Sequence, residues 1–266
     1  MDRILMLRLQ TRGCCAEVRV NDIPLGRVGV ISNLLFLPIH EYVLAGMNSL
    51  SLVINPPPTD SSGVPAVPKV ADDDAAASLR LLLPRMDQLG SLTHSRILAE
   101  LDWSVTSGQV YKSPSVVSSN VSLPIKFPRW RWLDAPEIVG VETIKPAVTS
   151  FIQDLAIGMA TGEADGFVNA SRLRLEELAL AYQQPVAEMA ARLRSRLQLL
   201  HATKAMKMVI PAISDLTLRL CANGRMLECL GPAGEPAIRT ENAPDGSRTS
   251  WPIRLAAVNG QFLILR

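Results

Sequence analysis

The sequence predicts a mixed protein: an antiparallel β-sandwich over residues 1–134, followed by an α+β domain over residues 135–266. Three observations predict it. The first half is filled by short runs that alternate apolar and polar residues and are broken by Pro, Gly, Ser and Asp. Near residue 137 the hydrophobic period changes from two to that of a helix, and three helix-period segments follow. Two strand pairs, each closed by an Asn-Gly turn, end the chain.

In the first half, strands are expected at 3–10, 15–20, 30–37 and 48–54. Ala16-Glu17-Val18-Arg19-Val20-Asn21 alternates with period two, the pattern of a half-buried strand. Asn21-Asp22 then turns the chain, and Pro24 with Gly26 is expected to keep the strand from continuing. Gly46-Met47-Asn48 leads into Ser49-Leu50-Ser51-Leu52-Val53-Ile54, another alternating run. Residues 55–77 carry five prolines and three consecutive aspartates but few large apolar groups. Such a stretch buries too little to offset the entropy of ordering, so 56–77 is expected to be a disordered insertion in the sandwich. Asp72, Asp73 and Asp74 lack the spacing of a calcium loop and read as solvated. Strand patterns resume at 78–84, 96–105 and 115–123.

AEVRVNDIPLG at 16–26, followed by LAGMNSLSLVI at 44–54, resembles the galactose-binding-like jelly roll attached to many glycosidases. Domains of that family show an A-x-V-x-V-N…G strand and then G-x-N-x-L-x-V. The resemblance implies a jelly-roll sandwich. Sugar-binding versions place aromatics in exposed loops, whereas the first 100 residues here offer only Phe36 and Tyr42.

The junction Leu123–Asp134 holds two of the four tryptophans. Extended geometry puts Trp130 and Trp132 on one face and Arg129 and Arg131 on the other. Both residue types are enriched at binding hot spots, so these four residues are the candidate binding site. The competing reading has the indoles buried between the two domains as a staple, which leaves the arginines as partner contacts.

Beyond the junction, Val148, Ile152, Leu155 and Met159 form an amphipathic stripe on a helix spanning 142–161. A second helix follows a cap signal at Asn169/Ser171, with Leu175, Leu178, Ala179 and Tyr182 on one face. Pro185 opens a third, striped by Val186, Met189, Ala190, Leu193, Leu197 and Leu200. Glu188 and Arg192 stand at i,i+4 on its polar side. Arg192, Arg194, Arg196, Lys204 and Lys207 make this region locally basic.

Asn223-Gly224 joins 216–222 to 225–230, and Asn259-Gly260 joins 251–258 to 261–266; Asn-Gly suits a type I′ turn, which needs positive φ at both central residues. The first register sets Arg219 opposite Glu228; the second aligns Ala257 with Phe262 and Leu255 with Ile264. With the 235–241 run they make a curved sheet of four or five strands, one side covered by the helices. This helices-then-sheet order resembles the cystatin-like α+β fold of the nuclear-transport-factor-like superfamily. Enzymes of that fold place an Asp/His pair inside the cone, for which this chain offers Asp154 and Asp165 without an evident histidine partner.

Composition narrows function. A net charge of +2 and dispersed arginines give no nucleic-acid footprint. No apolar run reaches the roughly 18 residues of a transmembrane helix, and the N-terminus lacks a signal-peptide pattern, so a cytoplasmic protein is expected. Cys14 and Cys15 are adjacent, and Cys221 and Cys229 fall on opposite sheet faces, so no disulfide is expected. His40, His94 and His201 have no metal-partner spacing, and neither a G-x-S-x-G nor a P-loop occurs. The expectation is therefore a non-catalytic bacterial binding or accessory protein that uses no cofactor or metal and acts through protein–protein contacts. A toxin-neutralising immunity protein or a secretion-associated protein fits by analogy between folds. The alternatives are a ligand-binding module, with an apolar molecule in the cone or a glycan on the sandwich, and an isomerase or hydrolase of the cystatin-like cone.

Overall fold

Alternation in the first half becomes two four-stranded antiparallel sheets. In the computed structural model, which describes all residues except 1–3, 31, 58–64, 85–94, 126 and 259, the chain divides into two compact units, Met1–Arg129 and Trp130–Arg266. The first contains β1 (Met6–Arg12), β2 (Ala16–Val20), β3 (Ile23–Val28), β4 (Leu34–Pro38), β5 (Gly46–Ile54), β6 (Val67–Val70), β7 (Ala75–Pro84), β8 (Ser95–Val105), β9 (Val110–Ser113) and β10 (Ser115–Leu123). One sheet runs β4-β1-β7-β8 and the other β10-β5-β2-β3. Leu7, Leu9, Leu79 and Leu81 of the first sheet and Val18, Val20, Leu50 and Leu52 of the second are buried, one residue in two, as a sandwich requires.

Two expectations are corrected here. Ile23-Pro24-Leu25-Gly26-Arg27-Val28 does form a strand, paired with β2 through a register shift at Val18/Arg19. The strand lies at the edge of its sheet, where a proline need not donate to the ladder. Buried Glu17 holds this hairpin, receiving Arg19 at 2.8 Å and Arg27 at 2.7 Å. The insertion is also more ordered than its composition suggests. Although 58–64 lie outside the described residues, Val67–Val70 pairs with β9. Asp74 accepts the Ser107 backbone N–H at 2.9 Å, and the carbonyl of Asp72 accepts the Ser107 hydroxyl. These aspartates shape a turn beside β7.

The second unit contains α1 (Val141–Thr161), α2 (Ala164–Ala170), α3 (Arg172–Tyr182), α4 (Val186–Ala202), β11 (Thr217–Cys221), β12 (Met226–Leu230), β13 (Ile238–Arg239), β14 (Ser250–Trp251), β15 (Arg254–Val258) and β16 (Gln261–Ile264). The expected stripe of α1 is buried with Phe167 of α2, Leu175 of α3 and Leu197 of α4. Leu227, Cys229, Leu255 and Ile264 complete this core from the sheet β11-β12-β15-β16. The helix α2 has no counterpart in the periodicity, because it is only seven residues long and Gly166 interrupts it. Gly162 ends α1 at φ +89, and a Cβ there would lie 2.8 Å from the His201 ring.

Both hairpin registers are as expected: Arg219 faces Glu228, and Ala257 faces Phe262. At the first turn Asn223 and Gly224 have φ of 54° and 80°, and Arg225 N–H closes on the Ala222 carbonyl. Asn259 lies outside the described residues. The 235–241 run contributes Ile238–Arg239, which pairs with Ser250–Trp251 in a separate two-stranded sheet.

Candidate functional site

The four residues singled out in the junction do not form an extended strip. Trp130 is extended, but Arg131–Leu133 turn as a 3₁₀ helix, with Leu133 N–H on the Trp130 carbonyl. The indoles and the guanidiniums nonetheless part into buried and exposed sets. Trp130 and Trp132 are 0% and 1% exposed, whereas Arg129 and Arg131 are exposed. Arg266 lies over the Trp130 ring at 5.6 Å and pairs with buried Glu177. Glu177 also accepts the Arg131 backbone N–H at 2.6 Å, and the Arg131 side chain reaches Glu176 at 2.6 Å. Two indoles withdrawn from solvent do not serve as a surface hot spot; of the four, the arginines alone present side chains outward.

The surface the sequence did not single out is β4. Its residues Leu34-Leu35-Phe36-Leu37-Pro38 carry no charge, and it occupies one edge of its sheet. On β1 the ladder sets Arg8 opposite Phe36 and Gln10 opposite Leu34. Thr11 N–H bonds to Asn33 O at 2.9 Å, and Ile39 N–H to Leu5 O at 3.2 Å. Hydrogen-bonded pairs recur at every second position of an antiparallel ladder, so the odd-numbered residues of β4 bond to β1. The backbone N–H and C=O of Leu34 and Phe36 consequently point away from the sheet, to an edge on which no described strand pairs. Their side chains are 50% and 41% exposed, and the inward-facing Leu35 and Leu37 are only half-buried. Natural sheets blunt such edges with charges, prolines, bulges or covers. Among the described residues one such device is present on β4, Pro38, at the end of the strand.

On the same outer face, a depression of about 390 Å³ crosses β1, β7 and β8. Small side chains floor it, and Gln10, Arg12, Ser78, Asp102, Trp103 and Ser104 line it. Arg80 clamps Asp102 in a bidentate pair at 2.9 and 3.0 Å and reaches Glu100 at 3.4 Å, which neutralises the β8 side. A second depression, of about 460 Å³, lies in the other unit against His201, Lys204, Met206 and Lys207.

The remaining candidates are dispersed. His40 is buried and its Nε2 accepts the Leu5 backbone N–H at 2.7 Å; His201 is exposed and His94 lies outside the described residues. Asp165 pairs with Arg194 at 2.7 Å and Asp154 is exposed. All four cysteines are free thiols. Among the described residues no three of His, Cys, Asp and Glu come together as a metal site, and no helix is long and apolar enough to cross a membrane. No known protein family matches the chain, and no curated protein or solved structure is significantly similar to it.

Proposed function

We propose that this is a non-catalytic bacterial binding or accessory protein that acts through protein–protein contacts. The observation that carries the reading is β4: an uncharged edge strand with exposed Leu34 and Phe36 and open backbone groups, suited to strand addition. A jelly-roll sandwich is the form we assign to the first unit. Its chain crosses between sheets at every connection along β1, β2, β3, β4, β5, β7, β8 and β10 except β2–β3 and β7–β8. We assign the second unit to the cystatin-like type on its order of helices then meander. A cytoplasmic role in toxin neutralisation or secretion is the working context, with exposed Arg129 and Arg131 as additional partner contacts. The test is capture from the native host with the tagged wild-type protein and with Phe36→Glu, read by mass spectrometry. A partner retained by the wild type and lost with a folded Phe36→Glu variant supports the reading; an identical set of captured proteins sinks it.

The depression across β1, β7 and β8 favours a second reading, a ligand-binding module with a glycan on the sandwich. Its amide, guanidinium, hydroxyl and carboxylate groups match the donors and acceptors of a sugar. A glycan array probed with wild type and Arg12→Ala separates this from the protein-binding reading.

A further inference from the structure

Resting on the reading of β4 as the binding edge, we infer that its partner is an extended segment alternating apolar and acidic residues, added as a fifth strand. The two faces of the edge dictate that alternation. A strand laid against β4 meets the outward N–H and C=O of Leu34 and Phe36 about 4.8 Å away. Side chains that point inward then contact Leu35 and Leu37, which the described residues leave half-buried. Apolar side chains suit that contact.

On the outer face the chemistry differs. Across β4 from the added strand lies β1, with Arg8 beside Phe36 and Arg12 further along. Arg8 donates to Gln10 Oε1 at 2.7 Å, a neutral acceptor. Among the described residues neither Arg8 nor Arg12 has a carboxylate within ion-pair distance, whereas Arg80 on the same face has Asp102 and Glu100. The β4 side of this face is therefore cationic and the β8 side balanced. Two strand spacings separate β1 from an added strand, about 10 Å, which a glutamate and an arginine span together with their stems packed over Leu34 and Phe36. Lysines at those positions would meet Arg8 and Arg12, which no carboxylate of the described residues pairs. Pro38 limits the addition at one end, since it offers a carbonyl but no N–H.

The test measures binding of the full-length protein to three labelled peptides of roughly ten residues. One alternates valine and glutamate, one alternates valine and lysine, and one is the acidic peptide N-methylated at every second residue. We expect the acidic peptide to bind at least about tenfold more tightly than the basic one. N-methylation on the bonding side should abolish binding, and Arg8→Glu/Arg12→Glu should reverse the preference. Equal binding of the acidic and basic peptides by the wild type overturns the inference and needs no variant to fold. Binding indifferent to N-methylation overturns it too. Light scattering that shows a dimer dissociated by Phe36→Glu would make a second copy the occupant and overturn the acidic partner. If Phe36→Glu abolishes capture of a host partner while the acidic and basic peptides bind alike, the edge stands as a binding site and the acidic chemistry alone is wrong.

Discussion

Arg219 and Glu228 face each other across the β11–β12 hairpin, and both are buried. Arg219 donates to Glu228 Oε2 through Nε at 2.9 Å and through Nη2, and Arg254 donates to Oε1 at 3.0 Å. One carboxylate thus holds two guanidiniums on the sheet face opposite the helices.

Removing that carboxylate charge should be costly. Glu228→Gln keeps the shape but leaves Arg219 and Arg254 buried without their shared counter-ion, a loss of about 3–5 kcal/mol. Urea denaturation monitored by circular dichroism measures it. A cost under about 1 kcal/mol, the range of an exposed pair, would mean that water reaches the cluster.

The thiols should differ sharply in reactivity. Cys15 is exposed, while Cys14, Cys221 and Cys229 are buried. Burial pushes the Cys229 thiol well above its ordinary range, with the neighbouring Glu228 adding to the rise, and burial raises Cys14 as well. Native protein should react with a thiol reagent at Cys15 alone, and denatured protein at all four cysteines. A thiol whose folded pKa exceeds its unfolded value lends stability below the unfolded value and loses it as the pH climbs. Stability should therefore fall from about pH 8.5 upward, and Cys229→Ala should flatten that fall.

His40 is a structural acceptor. Its Nε2 takes the Leu5 N–H, so that nitrogen carries no proton, and its ring packs 5.1 Å from Phe127. His40→Phe preserves the ring contact but orphans a buried N–H, which should cost about 1–3 kcal/mol. Hydrogen exchange at Leu5 offers a local readout: if its amide stays as protected as in the wild type, another group accepts it.

The hairpins were legible in the sequence because Asn-Gly turns and cross-strand registers are local properties. Arg219 opposite Glu228 follows from counting outward from Asn223-Gly224. The strand Ile23–Val28 was hidden because Pro24 and Gly26 are tolerated only at an edge, and edge position depends on which strands pair. Val67–Val70 was hidden for a related reason, since its partner Val110–Ser113 is distant in sequence. The edge strand β4 shares this difficulty. Leu34-Leu35-Phe36-Leu37 reads as a strand, but nothing local states that it ends its sheet. At Trp130 and Trp132 the sequence left a surface strip and buried indoles both open; both indoles are buried, and the 3₁₀ turn at Arg131 replaces the extended geometry that the strip assumed.

That turn yields the last prediction, because it separates stability from surface within four residues. Trp130 is fully buried beneath Arg266, whose guanidinium is neutralised by Glu177. Trp130→Ala removes the indole and the face on which the cation rests, so it should cost about 3–5 kcal/mol. Trp130→Phe retains a ring there and should recover part of that loss. Arg131 is exposed and pairs with Glu176, itself exposed, so Arg131→Glu should change stability by less than about 1 kcal/mol. Its backbone N–H keeps Glu177 regardless of the side chain. With Arg129→Glu added, the double reversal should leave the melting temperature nearly unchanged. Partner capture by that folded variant then decides the strip: reduced capture makes the arginines partner contacts, and full capture leaves the junction with a structural role alone.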